Sequence, residues 1–150
     1  MFKKTLLTIA ALTFAAIANL QADIRMPALF TDNMVLQRGV SVPIWGFASE
    51  GEKVTVKYQR QSVSAKTKNG RWIVNLKPLR VGKPGDLVID GRNRIRLKNV
   101  VVGEVWICSG QSNMFWPMSK CGEAGETDIA NSRNFDLRLF QVEKKKSDKP

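Results

Sequence analysis

The sequence predicts a mainly β protein: an antiparallel β-sandwich followed by the beginning of an α/β domain. Short runs of alternating apolar and polar residues, separated by turn residues, fill residues 23–100, and a nearly continuous apolar run begins at Val100. Alternation is typical of antiparallel strands with one solvated face, whereas a continuous apolar run is typical of a strand covered on both faces. Because 150 residues give room for about one domain, we expect the second domain, 101–150, to be incomplete.

The first 22 residues have the features of an export signal. Lys3 and Lys4 precede an apolar stretch over 6–18, which is too short to span a membrane. Small residues allow cleavage after Ala18 or Ala22, and we favour Ala22 because the strand pattern begins directly behind it. The expected product is a secreted or periplasmic protein without a stable membrane anchor. An uncleaved anchor is the alternative.

The clearest strands lie in the middle of the predicted sandwich, which extends over 23–100. In 53–58 the residues Val54, Val56 and Tyr58 alternate with polar residues and should face the core. A second run over 63–65 is followed by Asn69-Gly70, which is a strong hairpin signal because both central turn positions need a positive φ. The next strand, 71–76, should direct Trp72, Val74 and Leu76 inward.

Four further strands complete the predicted sandwich. They cover 34–37, 42–45, 87–89 and 94–97. We assign Met34, Leu36, Trp45 and Trp72 to the core, with a carbohydrate-stacking surface as the alternative for these large apolar side chains.

The α/β domain is expected to begin with a buried strand over 100–108. A small polar loop follows at 109–114, and then comes a looser segment rich in glycine and acidic residues. Another strand is expected at 137–142. Strand, loop, connection and strand in this order are how an α/β domain starts.

Composition excludes several classes of function. The formal charge is +11, but the lysines and arginines are scattered along strands without interleaved aromatic residues, so no nucleic-acid partner is expected. The sequence has no histidine, and its acidic residues lack a ligand spacing, so neither a metal nor another cofactor is expected. For Cys108 and Cys121, export permits a disulfide, but the apolar surroundings of Cys108 equally suit a buried free thiol.

Ser112 is the best candidate for a nucleophile. It lies in a loop after a predicted buried strand, where open α/β sheets place ligands, and Gly110 allows close approach of the backbone. A helix turn beginning near Asn113 would present free N–H groups to a developing oxyanion. On spacing alone, an ordinary polar loop with capping residues explains the same pattern.

Three segments resemble the sialate O-acetylesterase family, whose catalytic domain belongs to the SGNH/GDSL hydrolases. They are 26–38 (MPALFTDNMVLQR), 42–46 (VPIWG) with 51–54 (GEKV), and 103–114 (GEVWICSGQSNM) followed by Trp116-Pro117-Met118. The resemblance extends over essentially the whole chain after residue 22, in the order of the family. One departure is Phe115, which stands where the family commonly has Glu.

The resemblance implies an N-terminal β-sandwich, an SGNH-type α/β/α domain and an acetylated carbohydrate as substrate, either a sialic acid or a plant-type glycan. It implies that Ser112 accepts the acyl group. Gly110, Gln111 and Asn113 are then candidates for oxyanion stabilisation or substrate positioning, and Trp116 is a candidate for the wall of a sugar pocket.

The family's catalytic base is a histidine near its C-terminus, and these 150 residues contain none. A serine hydroxyl is a weak nucleophile until a base accepts its proton. We therefore expect the chain alone to be nearly inert as an esterase and to need the missing C-terminal part of the SGNH domain. The alternative from a different class is a secreted, non-catalytic carbohydrate-binding β-sandwich module.

Overall fold

The computed structural model describes residues 23–142. The predicted signal peptide, 1–22, and the last eight residues of the predicted second domain lie outside the described residues. Within the described range the chain forms these elements: β1 (Val35–Gln37), β2 (Val42–Phe47), β3 (Lys53–Tyr58), β4 (Gln61–Lys66), β5 (Arg71–Leu76), β6 (Gly85–Asp90), β7 (Arg94–Gly103), two 3₁₀ helices (Ser112–Phe115 and Met118–Lys120) and α1 (Gly122–Asn131).

The strands form two sheets. The large sheet has the order β1-β7-β6-β3-β4, and the small sheet pairs β2 with β5. All neighbours are antiparallel except β1 and β7, which are parallel with Val35 opposite Val101. The predicted mainly β fold is confirmed, but the expectation of purely antiparallel strands is wrong at this edge, because β1 pairs with the last residues of β7.

The alternating strands bury the side chains that the sequence predicts. Val54, Val56 and Tyr58 are buried on β3, and on β5 the buried set is Trp72, Val74 and Leu76. Both sheets contribute to one hydrophobic core. Burial raises the pKa of Tyr58, although the positive charge of Arg138 opposes the shift.

Of the four large apolar residues assigned to the core, Leu36 and Trp72 are buried and Met34 is half-buried against the core. The assignment of Trp45 is wrong. On β2 the buried positions are Val42, Ile44 and Gly46, so the strict alternation of a strand places Trp45 on the outer face of the small sheet.

The Asn69-Gly70 turn has the predicted geometry, with φ of 53° and 70°. Lys68 and Arg71 exchange backbone hydrogen bonds of 2.8 and 3.1 Å across it. Beyond this bridge the flanking strands separate, because β4 pairs with β3 and β5 pairs with β2. The turn therefore connects the two sheets and does not close a hairpin within one sheet.

The predicted strands 94–97 and 100–108 are replaced by the single strand β7, which ends at Gly103. A bulge after Leu97, where Asn99 has a φ of 55°, keeps the two halves in one sheet. β7 thus crosses the predicted domain boundary between residues 100 and 101. The remainder of the predicted strand is unpaired, and Trp106 and Ile107 are 83% and 93% exposed, because none of the described residues covers them.

The strand predicted at 137–142 is absent from the structure. This segment has no regular secondary structure, and Leu137, Leu139, Phe140 and Val142 are exposed. A strand requires a neighbouring backbone, and no described strand lies beside this segment. Only the side chain of Arg138 is tied to the sheet, since its guanidinium donates to the backbone carbonyl of Asn99.

The chain start within the described range is docked onto the sheets. Ile24 is buried, and Arg25 exchanges two backbone hydrogen bonds of 2.9 Å with Phe47 at the edge of β2. Among residues 23–142 no helix has the length and apolar character needed to cross a membrane.

Candidate functional site

Ser112 is the first residue of a short 3₁₀ helix, which begins nine positions after β7 ends at Gly103. Gln111 precedes the helix in an extended conformation, with φ of −89° and ψ of −160°. The helix is held by hydrogen bonds from the Met114 N–H to the Gln111 carbonyl, 3.0 Å, and from the Trp116 N–H to the Asn113 carbonyl, 3.1 Å. The helix turn predicted near Asn113 is present and begins one residue earlier.

Gly110 lets this loop fold back on itself. A Cβ atom at Gly110 would lie 2.7 Å from the Cγ atom of Met114, so a larger residue there would require the Met114 side chain to shift. The candidate positioning residues Gly110, Gln111 and Asn113 thus lie in one turn with Ser112. All four residues are exposed in the described part of the chain.

Trp116 lies directly after the Ser112 helix and is 59% exposed. The ammonium group of Lys120 lies 5.5 Å from the centre of its ring, and the indole N–H donates to the Lys120 carbonyl over 3.4 Å. Both contacts come from the following turn, so the position of the indole relative to Ser112 is fixed locally. Phe115, at the position where the family commonly has Glu, is also exposed.

α1 follows the two 3₁₀ helices. Its one buried residue is Gly125, which packs so closely on the preceding turn that a Cβ atom there would lie 2.1 Å from the carbonyl oxygen of Met118. Cys121 precedes α1 and Cys108 precedes the Ser112 loop. Both thiols are free of a disulfide and exposed. Neither alternative left open for Cys108, a disulfide or a buried free thiol, is found in the described residues, since its apolar run leaves the sheet at Gly103.

Glu104 anchors residues 104–142, hereafter the site segment, to the β1 edge of the large sheet. Its carboxylate accepts a hydrogen bond from the Gln37 side chain, 2.8 Å, and forms an ion pair with Arg38. The hydrogen bond from Gln37, which has the larger effect, and the contact with Arg38 hold the pKa of Glu104 below its ordinary value. The Gln37 side-chain oxygen also accepts the Val105 N–H over 2.8 Å.

Sequence reasoning missed this anchor. Gln37 and Arg38 end the first family-like segment, and Glu104 lies in the third. The opposite charges of Arg38 and Glu104, one in each segment, were a signal for this contact. The sequence contains many other opposite charges, however, and their spacing along the chain does not indicate which of them form pairs.

The arrangement offers an accessible hydroxyl and free backbone groups in one loop, but no proton acceptor of the imidazole type, because the sequence contains no histidine. Within residues 23–142 no cluster of three or more cysteine, aspartate or glutamate side chains is arranged to hold a metal ion.

Comparison with known proteins gives two kinds of relative. The chain is 33% identical to sialate O-acetylesterase of Mus musculus over 129 aligned positions, covering 77% of this chain. Human sialate O-acetylesterase is 32% identical over 103 positions, covering 60% of this chain. A crystal structure of a carbohydrate acetylesterase from Xanthomonas citri matches 75% of the chain with a TM-score of 0.69 and 30% identity.

No protein-family model matches the chain. The match covers 24% of the mouse enzyme, 20% of the human enzyme and 26% of the Xanthomonas chain, so this chain spans about a quarter of the length of the relatives it matches. The resemblance to sialate O-acetylesterases is confirmed over this matched part.

Proposed function

We propose that this chain is the amino-terminal part of an exported carbohydrate O-acetylesterase, in which Ser112 removes acetyl groups from sugars. The observation that carries the proposal is the joint similarity to sialate O-acetylesterases in sequence and to a carbohydrate acetylesterase in structure. The exposed position of Ser112 in a turn after β7 supports its role.

In the proposed reaction the Ser112 hydroxyl oxygen attacks the carbonyl carbon of the acetyl ester. The serine proton goes to a base, the C–O bond to the sugar breaks, and the sugar leaves as an alcohol after taking up a proton. Water then attacks the acetyl-serine, which releases acetate and restores the hydroxyl. Backbone N–H groups of the Gly110–Asn113 turn are proposed to stabilise the oxyanion or position the substrate, with Trp116 beside the sugar.

The base is proposed to come from a further part of an SGNH-type domain that begins within 101–150. Many large apolar side chains between residues 104 and 142 are exposed, which supports this proposal because exposed apolar clusters mark contacts with other protein surfaces. They include Val105, Trp106, Ile107, Phe135, Leu137, Leu139, Phe140 and Val142. Residues 1–150 alone are proposed to be nearly inactive.

Export is proposed from the composition of residues 1–22. Cleavage after Ala22 would leave Asp23 as the first residue, directly before the buried Ile24. N-terminal sequencing of the exported protein tests this, with Asp23 as the expected first residue. Retention of Met1 on a membrane-bound product would contradict it.

The enzymatic proposal is tested by extending the chain with the rest of its hydrolase domain and measuring acetate release from an acetylated sugar. We expect Ser112→Ala to lower kcat by about 10³-fold or more, because members of a catalytic triad act as a unit. Ser109→Ala is the matched control and should retain most of the rate. Near wild-type turnover of Ser112→Ala would overturn the assignment of the nucleophile.

The proposed inactivity of the isolated chain is tested in the same assay with residues 23–150. The expected result is hydrolysis at the level of buffer. Clear activity that Ser112→Ala abolishes would contradict the need for a distant base while keeping Ser112 as the nucleophile.

A further inference from the structure

The outer face of the small sheet carries an aromatic surface away from Ser112. Alternation along β2 and β5 places Trp45, Phe47, Ile73 and Asn75 on this face, while their neighbours fill the core. Trp45 lies between two rings, with centroid distances of 6.1 Å to both Phe30 and Phe47, and packs edge-to-face with each.

Two arginines flank this aromatic surface. Phe47 is opposite Arg71 on β5 and opposite Arg25 on its other side. Because directly paired residues of antiparallel strands point to the same face, both arginine side chains leave the backbone on the aromatic side of the sheet. Arg71 lies 5.6 Å from the centre of the Phe47 ring, and both arginines are exposed.

Among the described residues neither Arg25 nor Arg71 forms an ion pair, whereas Arg38, Arg94 and Arg96 each pair with a carboxylate. The outer face of the large sheet balances its positive charge with Asp86 and Asp90. The outer face of the small sheet has no carboxylate on its strands. The strands of this face thus carry positive charge without a carboxylate of their own, and the nearby Glu50 carboxylate is engaged by the Gly70 N–H over 3.3 Å.

We propose that the outer face of the small sheet binds a carboxylate-bearing sugar, such as a sialic or uronic acid residue of an acidic glycan. The apolar C–H side of the sugar ring packs on Trp45 and Ile73. The sugar carboxylate accepts hydrogen bonds from the guanidinium groups of Arg71 and Arg25, since planar guanidinium donors match the two oxygens of a carboxylate. Asn75 supplies an amide for sugar hydroxyl groups.

Other occupants fit the surface less well. A second copy of this chain, joined about a two-fold axis through this face, would bury the positive charge of four arginines in one interface without a carboxylate from the strands of the face to offset it. The described contacts of the site segment are with the large sheet. It attaches to Gln37 at the end of β1, to Arg38 directly after β1 and to Asn99 on β7, and so these contacts lie away from this face. The inference that the ligand is a sugar rests on the proposed function. Binding at this face does not require hydrolysis at Ser112.

The first test measures binding of N-acetylneuraminic acid and of its methyl ester to the purified chain by titration calorimetry or NMR. The ester keeps every group except the negative charge. We expect the acid to bind about tenfold or more tightly than the ester, because hydrogen bonds between charged partners are the stronger ones. Equal binding of the two ligands, or no binding of the acid, would overturn the proposal.

The second test compares variants of the same chain. Arg71→Gln and Arg25→Gln should each weaken binding of the acid by about tenfold, and Trp45→Leu should weaken binding of both ligands. Arg80→Gln removes the same charge at an exposed position outside this face and should bind like the wild type. If Arg80→Gln weakens binding as much as the other two arginine variants do, the net charge of the protein explains the effect and the proposal is overturned.

Two controls separate binding at this face from events at Ser112 and from unfolding. Binding is measured on the purified chain and hydrolysis on the extended chain, so that failure of Ser112 as nucleophile and failure of this site give different results. Thermal melting of each variant establishes whether it is folded. If Trp45→Leu is unfolded, the two arginine variants decide the outcome. A dimer that Trp45→Leu or Arg71→Gln dissociates would identify the face as a self-association surface and overturn the proposal.

Discussion

The side-chain amide of Asn93 holds the backbone of Ile24 by two hydrogen bonds. Its oxygen accepts the Ile24 N–H over 2.7 Å, and its nitrogen donates to the Ile24 carbonyl over 3.2 Å. Ile24 is 2% exposed, and a Cβ atom on Gly91 would lie 2.4 Å from its side chain. The start of the described chain is thus fixed to the turn between β6 and β7, although the partners are 69 positions apart in the sequence.

Asn93→Ala is therefore expected to destabilise the protein by about 2 kcal/mol, because it leaves two partly buried backbone groups of Ile24 without partners. Urea unfolding measures the change. Asn75→Ala, at an exposed strand position, is the control and should change the stability by less than about 0.5 kcal/mol. Equal stability of the two variants would contradict a structural role for the Asn93 clamp.

The β3–β4 turn predicts a stabilising substitution. Gln59 and Arg60 both have a positive φ, 42° and 64°, in a turn position that favours glycine. Arg60→Gly should raise the free energy of unfolding by about 0.5–1 kcal/mol, since relief of left-handed strain, about 1–2 kcal/mol, exceeds the entropic cost of glycine. Gln59 is best retained because its side chain donates to the Arg80 carbonyl over 2.9 Å.

Gly70→Ala is the opposite control for this turn prediction. Gly70 has a φ of 70° and open space around the position of a Cβ, so only backbone strain should act there. We expect a lower melting temperature for Gly70→Ala and a higher one for Arg60→Gly. If both variants shift in the same direction, the conformations of the two turns are not the cause.

Asp90 makes stability depend on pH. Hydrogen bonds from Arg94 and then Lys57 hold the pKa of Asp90 below its ordinary value. A lowered pKa in the folded state means that the stabilisation is complete above the unfolded pKa, about 3.9, and is lost as the pH falls through the lower folded value. Asp90→Asn should therefore destabilise the protein at pH 7 and have progressively less effect below about pH 4.

Urea midpoints over a series from neutral to strongly acidic pH measure this difference. Asp136→Asn, an exposed carboxylate in the site segment, is the control. A destabilisation by Asp90→Asn that is as large in strong acid as at neutral pH would exclude the ion pairs with Lys57 and Arg94 as its cause.

Hydrogen exchange should divide the chain near the end of β7. Amides of the buried strands, such as those of Val54, Val56 and Val74, are expected to be strongly protected. Amides of 104–121 and 132–142 should exchange quickly, because these segments are exposed and lack a strand partner. Strong protection of 137–142 in a monomer would contradict this prediction.

The strands of the two sheets could be predicted because each has a local signal. Lys53–Tyr58 and Arg71–Leu76 have the predicted limits, since alternation with period two indicates both the strand and its buried face. The signal for the Asn69-Gly70 turn is equally local. The pairing of strands has no such signal, and the divergence of β4 and β5 into different sheets follows from partners far along the chain.

Predictions failed where a segment depends on neighbours. The apolar run at 100–108 and the segment 137–142 have strand-like composition, but a strand forms only when another backbone accepts its hydrogen bonds. The prediction that Trp45 is buried failed for a related reason. The size of its side chain suggested burial, but the pleat of β2 directs it outward.

For the candidate site, the position of Ser112 in a small polar turn and the likeness to acetylesterases could both be predicted, because each resides in contiguous residues. The attachment of that turn through Glu104 to Gln37 and Arg38 became visible only in the folded chain. The same holds for the face of the small sheet on which two arginines flank the aromatic rings. Hydrogen bonds and charges act over a few ångströms in space, and distance along the chain does not encode which of them meet.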